Sequence, residues 1–277
     1  MEDLGEFRRR IKTQLNKIDP KTLNYNEDEF WLVRVPYEFL EYYAETNRLY
    51  NTMLALPLAR GLHNGTYRKL PVVRNGEVYK QPYLIHCLTV SKMLSDMWFP
   101  FSDEEKDILI AAALCHDMIE DIPFADGGRE LYTAFGLDKK VYDIVKLVSK
   151  KKDPTEEEEE EYFSGIRNNR LALLVKLSDR GHNVSDLYNM KEWKIEEYIG
   201  ETRKRYLPMC EYAREEYPEL NDVIEILQDQ IVVQTKTVQM LMDRHKKTMS
   251  NLNDELTTLR EENAKLRETF SALKEAQ

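Results

Sequence analysis

The most constraining feature of this chain is the stretch from Ala111 to Asp121, which reads Ala-Ala-Ala-Leu-Cys-His-Asp-Met-Ile-Glu-Asp. Its alanine-rich first half predicts a buried helix, and its second half contains four ionisable groups. Because positions i and i+4 share one face of a helix, His116 should lie beside Glu120, and Asp117 beside Asp121. Carboxylates are almost never fully buried without a partner or a metal. The stretch therefore predicts a buried helix that opens into a metal site; the alternative is a hydrogen-bonded polar helix end with a neutral histidine.

Two other segments also run from apolar to polar residues. Residues 174–183 predict a helix that carries Asp179 and Asn183 one turn apart, and residues 82–86 place His86 at the start of another helix. Imidazole nitrogens and carboxylate oxygens together suit Mn²⁺, Fe²⁺ or Zn²⁺, whereas Mg²⁺ prefers oxygen ligands and water. The sequence thus predicts a divalent-metal site. Its candidate ligands are His86, His116, Asp117 and Asp179.

Four sequence elements resemble those of a known family, and they occur in the same order. They are His63-Asn-Gly-Thr-Tyr-Arg68-Lys69, Pro82-Tyr-Leu-Ile-His86, His116-Asp-Met-Ile-Glu-Asp121 and Val175-Lys-Leu-Ser-Asp179-Arg-Gly-His-Asn183. In these elements the chain resembles the HD-domain metal hydrolases, specifically the (p)ppGpp hydrolase branch of the Rel/SpoT homologues, of the small alarmone hydrolase type. The resemblance covers roughly residues 45 to 215. It implies an all-α HD-domain core.

The resemblance also implies a role for each matching residue. The ligands of one Mn²⁺ per subunit would be His86, His116, Asp117 and Asp179. The catalytic pair would be Glu120 and Asp121, which orient or deprotonate the attacking water and protonate the leaving oxygen. The substrate-binding residues would be Arg68 against the guanine base, Lys69 near the nucleotide and Asn183 at the ribose. The implied reaction is hydrolysis of the 3′-pyrophosphate of (p)ppGpp to GDP or GTP and pyrophosphate.

Two other functions remain open. The same chemistry could act on (p)ppApp or another nucleotide, because an extra segment lies between Arg68 and Pro82. Asn75-Gly76 between two short β-type runs predicts a hairpin there, which could reshape base preference. The protein could also be a catalytically silent nucleotide-sensing or scaffold module. The pair Glu120-Asp121 argues against silence, since a sensor needs metal ligands but no acid–base pair.

Composition narrows the class of protein and of partner. Ten glycines and ten prolines in 277 residues are few, and Glu, Lys, Leu and Tyr recur at helical spacing, which predicts an all-α fold. The net charge of −10 argues against a nucleic-acid partner, because neutralising phosphates requires clustered Lys and Arg. Three cysteines without a pairing pattern, no long apolar run and no signal peptide predict a cytoplasmic protein without a membrane partner.

From Asp222 onward a heptad pattern begins, with Asn263 at one a position. Its d positions are Ile224, Ile231, Val238, His245, Leu252, Leu259, Leu266 and Leu273. This pattern predicts a parallel coiled coil that joins two copies of the chain. The alternative, stronger for the first half, is a long helix folded back on its own domain. The predicted domains are an N-terminal helical extension (1–45), an HD hydrolase domain (46–217) and a C-terminal coiled-coil dimerisation helix (218–277).

Overall fold

The structure, a computed structural model, describes residues 27–74, 76–187 and 190–275. Helices make up most of it, and one two-stranded antiparallel sheet is inserted between the second and third of them. The predicted all-α fold with a short hairpin is therefore confirmed. In these ranges, none of the helices combines the length and apolar character needed to cross a membrane. Residues 1–26 of the predicted N-terminal extension lie outside the described residues, and the division into three domains stays a prediction.

The elements follow one another with short connections. The helices are α1 (Glu27–Asn47), α2 (Tyr50–Leu62), α3 (Leu84–Ser95), α4 (Asp103–Cys115), α5 (Met118–Asp121), α6 (Glu130–Thr133), α7 (Lys139–Val148), α8 (Glu156–Arg167), α9 (Arg170–Ser185), α10 (Glu192–Glu201), α11 (Leu207–Glu216) and α12 (Asn221–Glu275). The strands are β1 (Tyr67–Arg74) and β2 (Glu77–Pro82). A π-helical turn (Thr202–Tyr206) joins α10 to α11, and a 3₁₀ turn (Pro218–Leu220) precedes α12.

Helix α4 is the buried helix expected from the alanine-rich run, but it ends earlier than the spacing predicts. Every residue from Asp107 to Cys115 is buried. The helix stops at Cys115, so His116 and Asp117 lie in a turn before α5. The expectation of one continuous helix through Asp121 was therefore wrong. Neighbouring residues of a regular helix point about 100° apart, whereas in this turn the side chains of His116 and Asp117 come together.

Helices α4 and α9 form the centre of the core. Helix α4 packs against α2, α3 and α7, and α9 contacts α3, α4, α7, α8 and α12. Helix α1 adds Val33 and Leu40 to the same core. The carboxylate of Asp107, on α4, accepts hydrogen bonds of 2.8 Å from the backbone N–H groups of both Asn51 and Thr52. These N–H groups have no partner within the first turn of α2, so Asp107 fixes the start of that helix to the core.

The hairpin predicted from Asn75-Gly76 is present. Strands β1 and β2 pair antiparallel, with Arg74 opposite Glu77. Gly76 has a φ of +82°, a backbone conformation that residues with a Cβ rarely adopt, which explains the glycine at this turn. Strand β2 leads directly into α3. The hairpin therefore brings Arg68, near the start of β1, to the N-terminal end of α3.

Helix α12 has two halves with different surroundings. In the first half, the apolar side chains of the heptad pack against α9, α11 and nearby residues of the same chain. The buried ones on a and d positions include Ile224, Ile231, Val238 and Met242. From Asp243 to Ser271 every side chain is exposed. The first half thus follows the alternative of a helix folded back on its domain, and the predicted coiled coil is restricted to the second half.

Candidate metal centre and its pocket

Four of the predicted site residues meet at the Nε2 atoms of His86 and His116, and we call them the candidate metal cluster. His86 lies in the first turn of α3, His116 and Asp117 follow α4, and Asp179 lies on α9. The Nε2 atoms of His86 and His116 are 3.0 Å apart. Oδ1 of Asp179 lies 3.1 Å from Nε2 of His86 and 3.6 Å from Nε2 of His116. Oδ2 of Asp117 lies 3.3 Å and 2.9 Å from the same two nitrogens.

These separations suit a divalent metal ion. Ligand atoms about 2.1 Å from an ion, at tetrahedral or octahedral angles, lie roughly 3.0–3.4 Å from each other. Within the described residues, ligand atoms of His86, His116 and Asp179 all lie within 4.8 Å of one another. Asp117 adds a fourth ligand atom close to both imidazoles. Two imidazoles and two carboxylates are a donor set that suits Mn²⁺, Fe²⁺ or Zn²⁺.

Hydrogen bonds behind the two histidines fix which ring nitrogen faces this point. Nδ1 of His116 lies 2.8 Å from the carbonyl oxygen of Ala113, which can only accept, so Nδ1 carries a proton and Nε2 is the nitrogen that faces the cluster. Nδ1 of His86 lies 2.8 Å from Nδ1 of His182. Burial lowers the pKa of His182 to about 3, so its ring is neutral and its Nδ1 can accept a hydrogen bond from Nδ1–H of His86. Nε2 of each ring therefore faces the cluster, and a metal bound there would take the place of any proton on Nε2.

The two carboxylates are also held by neighbours. The hydroxyl of Tyr83 donates a hydrogen bond of 2.6 Å to Oδ2 of Asp117. Lys176 donates to Oδ2 of Asp179 at 3.0 Å, and the amide of Asn183 donates to Oδ1. Such outer partners orient metal ligands before the metal binds.

The charges in this cluster stabilise one another. Burial favours a neutral His116, but the carboxylates of Asp117 and Asp179 outweigh burial and raise the pKa of the imidazole to about 10. Burial also opposes ionisation of Asp117, yet His116 and His86 hold its pKa well below the usual range. The pKa of Asp179 is likewise lowered against burial, mainly by Lys176. The carboxylates are therefore ionised and attract positive charge, which a divalent cation can supply.

Glu120 and Asp121 lie on the wall of the adjoining cavity. An oxygen of Glu120 accepts a hydrogen bond of 2.6 Å from the backbone N–H of Lys150. Burial raises the pKa of Glu120, and burial together with the charge of Asp117 raises the pKa of Asp121. A carboxyl group with a raised pKa exchanges protons closer to neutral pH than an ordinary one. The pair is therefore suited to proton transfer in this cavity.

The cavity has a volume of about 680 Å³, within the range of small-molecule sites. Its basic lining residues are Arg68, Lys150, Lys176, Arg180 and Lys194. Its aromatic lining residues are Tyr67, Tyr83, Tyr162, Tyr198 and Tyr206. Cationic groups can bind phosphate, and aromatic rings can contact flat apolar groups. The lining therefore suits a ligand that carries both phosphate and a planar ring.

Arg68 is held in this cavity by three neighbours. Its Nη2 donates to Oδ1 of Asn183 at 3.0 Å and to Oδ2 of Asp186 at 2.8 Å. The guanidinium carbon lies 5.9 Å from the centre of the Tyr83 ring. Because Asn183 also donates to Asp179, hydrogen bonds link Arg68 to the metal cluster. The side chain of Lys69 lies outside the described residues, so the structure does not place it.

Several residues that hold the site residues through hydrogen bonds were not among the predicted ones. Tyr83 and His182 stand inside two of the motifs quoted above, and Lys176 precedes Asp179 by one helical turn. These three could have been found from spacing. Asp186 carries no such signal, because its contact with Arg68 joins residues 118 positions apart.

Comparisons with known proteins agree with this arrangement. The family described as HD domain matches residues 83–224. The chain is 27% identical over 181 residues to the bifunctional (p)ppGpp synthase/hydrolase SpoT of Escherichia coli, an alignment that covers 62% of this chain and 23% of the relative. It is 27% identical over 161 residues to a guanosine-3′,5′-bis(diphosphate) 3′-pyrophosphohydrolase of Haemophilus influenzae, covering 55% and 21%. It is 34% identical over 151 residues to the GTP pyrophosphokinase rsh of Brucella ovis, covering 50% and 19%.

The share of each chain that is aligned decides which conclusion the comparisons support. The chain spans about a fifth of the length of the curated relatives it matches. The HD domain match extends over half of the chain and includes all four predicted metal ligands. The chain therefore belongs to the HD-domain family, with Rel/SpoT homologues among its relatives.

Proposed function

We propose that the protein hydrolyses the 3′-pyrophosphate of (p)ppGpp to GDP or GTP and pyrophosphate, using one Mn²⁺ per subunit. The proposal rests on the position of Glu120 and Asp121. Both residues line a cavity that Asp117 and Asp179 of the candidate metal cluster also line. Relatives named (p)ppGpp synthase/hydrolase and guanosine-3′,5′-bis(diphosphate) 3′-pyrophosphohydrolase support the substrate class. The assigned metal ligands are His86, His116, Asp117 and Asp179.

The reaction adds water across a phosphorus–oxygen bond. The water oxygen bonds to the phosphorus that carries the ribose 3′ oxygen, and the bond between that phosphorus and the 3′ oxygen breaks. A metal ion in the cluster would polarise the phosphoryl group and lower the pKa of water. Glu120 takes one proton from the attacking water, and Asp121 gives one proton to the 3′ oxygen. The products are a nucleotide with a free 3′ hydroxyl and pyrophosphate.

The nucleoside is assigned to the end of the cavity formed by Arg68. A guanidinium group is planar and cationic, so Arg68 can stack on a purine. Asn183 lies beside it and is assigned to the ribose, and Lys69 is assigned to a position near the nucleotide. Lys150 and Lys194 line the same cavity and can offset the charge of the phosphates.

Hydrolysis of (p)ppApp is the second candidate, because the inserted hairpin contributes Tyr67 and Arg68 to the cavity end assigned to the base. A difference in the hairpin can therefore change base preference without changing the reaction. A catalytically silent sensing or scaffold module is less well supported. Such a module would not need the acids Glu120 and Asp121 in the cavity.

Incubating the full chain and Mn²⁺ with a nucleotide panel tests the proposal. The panel contains ppGpp, ppApp, cyclic nucleotides and deoxynucleoside triphosphates, and ion-exchange chromatography separates the products. We expect pyrophosphate release from ppGpp that stops when the metal is chelated. Faster release from ppApp would assign the enzyme to adenine alarmones. No turnover of any panel member by metal-loaded protein would contradict the proposed activity.

We also infer that the protein works in a reducing compartment, as expected for the cytoplasm. Cys87, Cys115 and Cys210 are buried and form no disulfide. Burial raises the pKa of the Cys210 thiol to about 12, and burial likewise raises the pKa of Cys87 and Cys115. Buried, protonated thiols are inert, and a fold stable without disulfides suits that compartment.

Replacing Arg68 with alanine is expected to weaken substrate binding more than turnover. A desolvated cation–π contact contributes about 1–2 kcal/mol, so KM for ppGpp should rise roughly 5- to 30-fold while kcat changes less. Steady-state kinetics measures both constants. Arg34→Ala is the matched control, because Arg34 is exposed and pairs with Glu38 four residues away, and it is not among the residues that line the cavity. An equal loss with every phosphorylated ester of the panel would show that Arg68 binds phosphate and would contradict base stacking.

Replacing Tyr67 with alanine is expected to change base preference. Tyr67 lines the cavity beside Arg68, and an aromatic contact contributes about 0.5–1.5 kcal/mol, so the ratio of kcat/KM for ppGpp and ppApp should change roughly 2- to 12-fold. Tyr79→Ala is the control on the same hairpin, since the hydroxyl of Tyr79 bonds to Glu77 and its ring does not line the cavity. A ratio that changes equally in both variants would make the hairpin a structural insertion only.

A further inference from the structure

The second half of α12 exposes an apolar stripe. Lys246 still pairs with Glu192 and Glu196 of α10, but from Lys247 to Ser271 every side chain is exposed. The stripe consists of Met249, Leu252, Leu256, Leu259 and Leu266, which are 44% to 69% exposed. Large apolar side chains exposed in a continuous row mark an interaction surface.

The row continues the heptad of the first half. All five side chains occupy a or d positions, in the register that buries Ile231, Val238 and Met242 against the domain. On a straight helix such a row turns by about 20° per heptad. Between Ile231 and Leu259 it therefore turns by roughly 80°, out of line with the chain's own core. A partner at the second half can thus avoid the domain that covers the first half.

We propose that this stripe binds the same stripe of a second copy, as a parallel two-stranded coiled coil over about residues 249–270. Leucine occupies the d positions in this segment, and Asn263 occupies an a position. In a parallel dimer, Asn263 of one copy faces Asn263 of the other, and their side-chain amides can hydrogen-bond to each other in the coiled-coil core. A single asparagine at a selects the dimer over larger assemblies.

Charges flanking the stripe select the same orientation. In a parallel pair, g positions face the e′ positions of the next heptad, so Glu255 meets Arg260 and Glu262 meets Arg267 of the second copy. In an antiparallel pair, g faces g′ and e faces e′, which brings Glu255 of one copy against Glu262 of the other. The antiparallel pair would also place Asn263 opposite Leu252, where its amide has no partner. Charge and core polarity therefore both favour the parallel dimer.

The helix that carries the stripe is already formed, because its first half packs on the domain. Three heptads are short for a helix in isolation, because the first turn is costly to form. Here α12 is already helical from Asn221 and packed on the domain up to Met242, so the exposed segment extends an existing helix. Pairing then requires little new helix formation.

Sedimentation velocity of the full chain tests the dimer. The wild type is expected to sediment as a dimer over a range of concentrations, and Leu259→Lys as a monomer, because a lysine at the seam would be buried without a partner. Thr258→Lys is the matched control, since it adds the same charge at the neighbouring residue, a c position outside the seam, and should leave the dimer intact. Helix content by circular dichroism checks that both variants fold. A monomeric or trimeric wild type, or dimers of Leu259→Lys, would overturn the proposal.

Cysteine crosslinking tests the orientation. The native cysteines are buried, so a single new cysteine on the stripe reports on its own neighbour. Leu266→Cys alone is expected to form a disulfide-linked dimer on mild oxidation, because position 266 faces position 266 only in the parallel pair. Crosslinking only in a mixture of Leu266→Cys with Met249→Cys proteins would show the antiparallel pair and overturn the parallel one.

Discussion

Asp117→Asn protein is expected to purify without bound Mn²⁺ and to have no detectable turnover, while remaining folded. Oδ2 of Asp117 lies within 3.3 Å of the Nε2 atoms of both His86 and His116, so a neutral amide removes a ligand charge at the centre of the cluster. Loss of an outer partner of a metal ligand already costs roughly 10–100-fold in metal affinity or activity, and loss of a ligand should cost more. Metal content per subunit, product release and thermal unfolding are the three measurements.

The control for this variant is Asp143→Asn. Asp143, on α7, pairs with Lys139 and is not among the residues that line the cavity. It should keep metal and activity. The experiment also separates the metal site from the alternative of a hydrogen-bonded polar helix end. Under that alternative, Asp117→Asn would change the stability of the protein but leave its metal content and rate at wild-type values. Such a result would contradict the assignment of Asp117 as a metal ligand.

The fold was predictable where the signal is local. Helical periodicity and the scarcity of glycine and proline indicate the helical class, and Asn75-Gly76 indicates the hairpin, because both depend on residues close in sequence. The end of α4 at Cys115 was not predictable in this way. Helical spacing accommodates His116 and Asp117 equally well, and it is their shared approach to His86 that places them in a turn.

The two halves of α12 show the same limit. The heptad pattern is continuous through both, so the sequence favours a helix folded back on its domain more for the first half but does not fix where the exposed stripe begins. The structure separates them through contacts with α9. A Cβ added at Gly181 of α9 would lie 3.7 Å from the side chains of Gln230 and Ile231, in ordinary contact. The first half of α12 therefore supports the helix that carries Asp179.

The sequence motifs identified the candidate site residues, but the hydrogen-bond partners of these residues became clear only from the fold. The proposed ligands and acids were selected by their type and spacing, which reflect the chemistry of a metal and a proton donor. The hydrogen bonds that orient them come from Tyr83, Lys176 and His182. The contact of Asp186 with Arg68 depends on the tertiary fold alone. The candidate chemistry was therefore predictable from the sequence, whereas the hydrogen-bond network that positions these residues was not.

Glu120→Gln is expected to keep its metal and lose roughly 10²–10⁴ in kcat, the usual contribution of general acid–base help. A glutamine side chain keeps an oxygen that can accept the hydrogen bond from the backbone of Lys150, so the loop should hold its position. The amide cannot take a proton from water, so turnover falls while KM for ppGpp stays close to its wild-type value. Glu161→Gln, an exposed change on α8, should match the wild type. A metal-free Glu120→Gln protein would make Glu120 a ligand, and a full rate with bound metal would remove it from the reaction; either result would reject the proposed division between ligands and proton donors.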